Sequence, residues 1–98
     1  APENAARREL LEETGYEAQR WDFIGTMMPC IGYSDERIHA YLARDLTYSK
    51  RNLDEGEFLE TSRVPMSDLL QQALNASIQD AKTVIALLWA EQFLRSSD

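Results

Sequence analysis

Runs of apolar and polar positions divide the chain into helices and strands separated by short breaks. From Pro2 to about Thr14, Ala6 and Leu10 fall four residues apart among charged neighbours, which is the spacing of one helical face. Pro2 suits a first helical position, Glu3 suits the positive end of the helix dipole, and Gly15 supplies a stop. Tyr16 to about Met28 carries Trp21, Phe23 and Ile24 and reads mostly as strand. Pro29 and Gly32 mark a loop over residues 28–34. From Arg37 to Leu46 the pattern alternates, with Ile38, Ala40 and Leu42 on one side and His39, Tyr41 and Ala43 on the other.

The second half reads in the same way. Residues 47–57 are polar and hold Gly56, so a surface loop is expected there. Phe58 to Val64 returns to strand, and Pro65 ends it. Ser67 is a candidate N-cap for a short helix through Leu74, and Asn75 to Ser77 make a break. The last helix is expected from about Gln79 to Leu94, with Ala81, Val84, Ile85, Leu88 and Trp89 on a broad apolar face. The order helix, strands, helix, helix predicts an α/β or α+β sandwich. The strands are too few for a complete sheet, so an N-terminal part of the domain is expected to lie outside these residues. The opening Ala1-Pro2-Glu3-Asn4, which looks like neither a leader nor a natural start, carries the same expectation.

Composition narrows the class. Ninety-eight residues with 44% hydrophobic content suit one domain or a large piece of one, and the net charge is −7. An acidic surface argues against broad nucleic-acid binding, which depends on basic groups to neutralise phosphates. A small phosphate-bearing substrate remains open, because bound cations can supply positive charge. Cys30 is the only cysteine, so no internal disulfide and no thiolate cluster can form, and a reducing cytoplasm is expected. No apolar run reaches the length of a membrane-spanning helix.

The chemistry concentrates in Arg8-Glu9-Leu10-Leu11-Glu12-Glu13-Thr14-Gly15-Tyr16. Three- and four-residue spacings place Glu9, Glu12 and Glu13 on one helical patch, where like charges repel. Hard divalent cations would offset that repulsion. Charge spacing alone favours a solvated acidic face, with Arg7 and Arg8 as local ion pairs. The complete string, however, resembles the second half of the signature of Nudix hydrolases: Arg-Glu-aliphatic-any-Glu-Glu-any-Gly-bulky. Every fixed position is matched, with Tyr16 in the final bulky site. The signature's earlier Gly and a further Glu would fall just before Ala1.

The resemblance extends over nearly the whole chain and is nearest to the ADP-ribose pyrophosphatases. It implies that residues 1–98 are the C-terminal portion of one Nudix α/β/α sandwich domain. It implies magnesium, or manganese in its place, held by Glu9 and Glu13 with Glu12 as ligand or close support, while Arg8 orients a carboxylate of the motif. Pro29 and the run Gly32-Tyr33-Ser34-Asp35-Glu36-Arg37 resemble a substrate loop in which the residue matching Glu36 contacts the ribose. Tyr33 is a candidate for stacking on the base. Asp54-Glu55-Gly56-Glu57 resembles the loop that brings a catalytic glutamate over the metal, so Glu55 is assigned as the base and Glu57 as a further metal-site carboxylate, an order open to exchange. Trp89 and Phe93 are expected in the core or at a dimer contact, and His39 in a structural role. The implied reaction is hydrolysis of a P–O–P bond in a nucleoside diphosphate derivative, ADP-ribose first, by a homodimer that binds neither nucleic acid nor membrane. The competing readings are a Nudix enzyme for a nucleotide sugar or dinucleotide polyphosphate, a non-catalytic interaction module, and an inactive fragment.

Overall fold

A computed structural model describes residues 1–49 and 61–96. Its elements follow the expected order: helix α1 (Pro2–Thr14), strands β1 (Tyr16–Met27) and β2 (Ile38–Tyr48), then helices α2 (Met66–Leu74) and α3 (Ala81–Ser96). The mixed helix-and-strand class is as expected. β1 and β2 pair in a two-stranded sheet. Their partners run in opposite directions, with Trp21 beside Tyr41 and Phe23 beside His39, so the ladder is antiparallel. Towards the far end Tyr16 of β1 meets Tyr48 of β2 edge-on. Asp45, on β2, lies in the left-handed region at φ 59.

The chain divides into two compact units. The first holds α1 with residues 16–22 of β1 and 41–48 of β2. The second holds residues 23–27 and 38–40 of the same strands with α2 and α3. Among the described residues the buried apolar side chains are Ala18, Met27, Ala40 and Ala90, and no large side chain is fully buried. Large apolar groups stand in solvent instead, Ile31 at 75% exposure and Leu74 at 67%. In the second unit Trp89 lies across Gly25, where a side chain would meet the indole (a Cβ there would stand 2.7 Å from ring carbons Cε3 and Cζ3).

Several boundaries differ from the sequence expectation. β2 continues two residues past Leu46, because Ser49 N–H reaches the Gly15 carbonyl at 2.6 Å and Tyr48 meets Tyr16 edge-on. Of the strand expected over Phe58–Val64, residues 61–64 are described and form none. Ser67 does not cap α2; the helix begins at Met66, and the Pro65 carbonyl accepts the N–H groups of Asp68 and Leu69. The last helix begins at Ala81 rather than Gln79, since Asp80 is its cap. The Asp80 carboxylate accepts the Thr83 N–H at 3.1 Å and the Thr83 hydroxyl at 2.6 Å. These hydrogen bonds, that of Thr83 first and Lys82 next, lower the Asp80 pKa from 3.8 to about 2. The expected buried stripe of α1 is only half-buried at Ala6 and Leu10. On α3, Val84, Ile85 and Trp89 are half-buried while Ala81 and Leu88 are exposed.

Candidate functional site

The carboxylates are presented by α1. Pro2 opens the helix at a position whose N–H has no intrahelical partner, and Ala5 N–H makes an early helical bond to the Ala1 carbonyl at 3.2 Å. Gly15 closes it with φ 77, donating its N–H to Leu11 O at 2.9 Å. A side chain at that φ crowds the following carbonyl, so glycine suits the stop. The Thr14 hydroxyl donates to Leu10 O at 2.6 Å and accepts the Tyr16 N–H at 3.1 Å, which leads the chain directly into β1.

Along α1 the charges pair at one-turn spacing. Arg7 Nη2 lies 3.0 Å from Glu3 Oε2, and Arg8 Nε lies 3.8 Å from Glu12 Oε1, a loose pair in solvent. Glu9 and Glu13 are exposed, and among the described residues neither has a cationic partner. Two carboxylates one turn apart, with a third held towards Arg8, are hard oxygen donors of the type magnesium takes. Among the described residues no three or more His, Cys, Asp or Glu side chains gather closely enough to enclose an ion. The helix therefore offers a partial donor set. That fits magnesium, which is commonly held by one or two carboxylates and keeps several waters or substrate oxygens.

Glu55 and Glu57, assigned to the catalytic base and a metal-site carboxylate, lie outside the described residues. Tyr33 and Glu36 belong to the second unit, in the connection between β1 and β2. There the Cys30 carbonyl accepts the N–H groups of Tyr33 and Ser34, both at 3.0 Å, and Ser34 Oγ accepts the Glu36 N–H at 3.0 Å. Gly32 provides φ 98 for the turn. Tyr33 is 97% exposed and Glu36 is exposed, so both side chains are open to a ligand. His39 Nδ1 lies 3.0 Å from Thr26 Oγ1, and the ring tilts against Phe23 at 6.2 Å. Cys30 is free and exposed.

Two features of the first unit were not foreseen from the sequence. Asp22 on β1 accepts Arg44 Nη2 from β2 at 2.6 Å, while Arg20 Nε approaches the same oxygen at 3.4 Å. A cleft of about 360 Å³ is lined by Arg7, Arg8, Leu11, Glu17, Ala18 and Trp21, with the Arg7 guanidinium 5.2 Å above the indole of Trp21. Both features join residues far apart in sequence, and only the alternating charge of β1 and the helical spacing of Arg7 and Leu11 hinted at them.

Among the described residues no helix is long and apolar enough to cross a membrane. The NUDIX domain profile matches residues 1–87. An ADP-ribose pyrophosphatase of Bacillus subtilis is 39% identical over 92 residues, covering 92% of this chain and 50% of the relative. A methanol dehydrogenase activator of Bacillus methanolicus is 36% identical with the same coverage, and a GDP-mannose pyrophosphatase of Cronobacter sakazakii is 33% identical over 88% of this chain and 47% of its own length. A crystal structure of an ADP compounds hydrolase superposes with a TM-score of 0.80 at 27% identity, over 93% of this chain and 49% of that one. The chain thus spans about half the length of the curated relatives it matches. A profile match over most of the residues, a superposable backbone, and the Arg8–Tyr16 string on a helix closed by a left-handed glycine agree, and the chain belongs to the NUDIX domain family.

Proposed function

We propose that the protein hydrolyses the pyrophosphate bond of nucleoside diphosphate derivatives with magnesium, and that ADP-ribose is the leading substrate, giving AMP and ribose 5-phosphate. Residues 1–98 supply the C-terminal portion of the catalytic domain in this reading. The observation that carries it is the α1 face itself, which presents Glu9 and Glu13 without a cationic partner among the described residues, inside the second half of the family signature. The ADP-ribose pyrophosphatase of Bacillus subtilis and the ADP compounds hydrolase support the choice of substrate class.

Glu9 and Glu13 hold the metal, with manganese able to replace magnesium. Glu12 stands beside them with Arg8 as its restraint. The chemistry a divalent cation supplies when held there is neutralisation of the pyrophosphate and a more acidic water. Glu55 takes the proton as the water oxygen bonds to phosphorus and the bridging P–O bond breaks, and Glu57 adds a carboxylate to the metal site. Glu36 accepts hydrogen bonds from the ribose, and Tyr33 offers its exposed ring to the base. The active form is a homodimer in the cytoplasm, where Cys30 stays reduced.

A second reading keeps the chemistry and changes the leaving group to a sugar phosphate, on the strength of the GDP-mannose pyrophosphatase relatives. The test is AMP release from ADP-ribose with Mg²⁺, beside a Glu13→Gln control and a panel including GDP-mannose. Metal-dependent release that disappears in the control is expected. A chain that binds neither Mg²⁺ nor Mn²⁺ would instead be an interaction module.

A further inference from the structure

The last turn of α1 runs against its own electrostatics. Glu12 and Glu13 lie at the negative end of the helix dipole, and the turn holds no basic residue. Repulsion from the terminal carbonyls favours fraying, yet Glu13 has to stay one turn from Glu9 if the two are to share a metal. Gly15, at φ 77, closes the end by donating its N–H to Leu11 O at 2.9 Å. The next N–H, that of Tyr16, goes to Thr14 Oγ1 at 3.1 Å, and the same hydroxyl donates to Leu10 O at 2.6 Å. A threonine bonded to the carbonyl one turn back is common in helices. Here the oxygen also accepts from the first residue of β1, so one part-buried group joins the last helical turn to the strand. Thr14 fills the open position of the signature between Glu13 and Gly15, and the motif itself assigns it no role.

We infer that Thr14 is a positioning residue for the metal: its hydroxyl keeps the last turn of α1 closed and so holds Glu13 in register with Glu9. The inference rests on the hydrolase reading and deepens it. Thr14 touches neither metal nor substrate and acts through the backbone of the turn that carries Glu13.

The effect is confined to one carboxylate. Glu9 lies a turn further in, beside another tie of the helix to β1, where the Arg7 guanidinium stands 5.2 Å from the centre of the Trp21 indole. Removing the hydroxyl therefore loosens Glu13 and leaves Glu9 in place. Groups that orient metal ligands without touching the metal change its affinity roughly 10–100-fold. With one of two helix carboxylates affected, the expected loss is about tenfold.

The test compares the isotopically labelled protein with its Thr14→Val and Thr14→Ser variants, using Mn²⁺ alone as the probe. Valine keeps the shape of the side chain and removes the hydroxyl, whereas serine keeps the hydroxyl. Without metal, the Glu13 backbone carbon shifts of Thr14→Val are expected to move towards coil values and Tyr16 amide exchange to rise about fivefold, while Glu9 keeps its helical shifts. On titration, the Mn²⁺ concentration that half-broadens the Glu9 signal rises about tenfold in Thr14→Val and reaches the same end point, and Thr14→Ser titrates as the unsubstituted protein does. A Thr14→Val protein that titrates without a shift overturns the inference, as does a Thr14→Ser protein that behaves like Thr14→Val. Coil shifts of equal size at Glu9 and Glu13, or loss of helical circular dichroism, in Thr14→Val also overturn it, because Thr14 would then maintain the whole helix rather than place one carboxylate. Absence of broadening at Glu9 and Glu13 in the unsubstituted protein is a separate outcome, which overturns the hydrolase reading and the inference built on it.

Discussion

Gly25→Ala tests the packing of the second unit most directly. A Cβ on residue 25 would stand 2.7 Å from Trp89 Cε3 and Cζ3 and 3.2 Å from Cη2. Carbon atoms in contact prefer about 3.5–4.0 Å, so ring and strand must separate by roughly 1 Å. An indole is rigid, and Trp89 sits within α3 beside the buried Ala90, so the shift has to come from the helix or the strand. Overpacking of this kind costs about 1–3 kcal/mol. The backbone contributes separately, because Gly25 has φ 159, at the border of the extended region. A double-mutant cycle with Trp89→Leu divides the two: the ring clash disappears in the Leu background, whereas a backbone cost persists. The assay is urea unfolding followed by far-ultraviolet circular dichroism, which avoids confusing the fluorescence of Trp89 with that of Trp21. A Gly25→Ala cost below about 0.5 kcal/mol, or one of equal size in both backgrounds, would refute the close approach as its cause.

Other outcomes follow from the site and the helix ends. Glu13→Gln is expected to reduce kcat for ADP-ribose at least tenfold, while Glu36→Gln mainly raises KM; steady-state AMP release checks the split, and equal losses in both parameters for both variants would contradict the assigned roles. Gly15→Ala should destabilise the chain by about 1–2 kcal/mol in urea unfolding, because φ 77 places a Cβ against the carbonyl. Asp80 has a folded pKa of about 2 against an ordinary 3.8, so its contribution is fully present above pH 3.8 and is lost as pH falls through about 2. Asp80→Asn keeps a capping oxygen but does not titrate, so its melting temperature should vary less between pH 4 and pH 2 than that of the unsubstituted chain.

The sequence by itself determined the local structure that depends on neighbouring residues. Pro2, Gly15 and the four-residue spacing of Ala6 and Leu10 were enough to place α1, because capping and helical periodicity act within a turn or two. The same short range makes the carboxylate patch legible: Glu9, Glu12 and Glu13 share a face in any helix. Tertiary structure decided what involves distant residues. The extension of β2 to Tyr48 depends on Gly15 and Tyr16, more than thirty positions earlier. The pairing of Asp22 with Arg44 depends on strand register, and the site of Gly25 on an indole sixty-four residues later. The expected apolar stripe of α3 came out partly exposed for the same reason: periodicity names the face a helix can bury, and only the surface laid against it decides how much of that face leaves water.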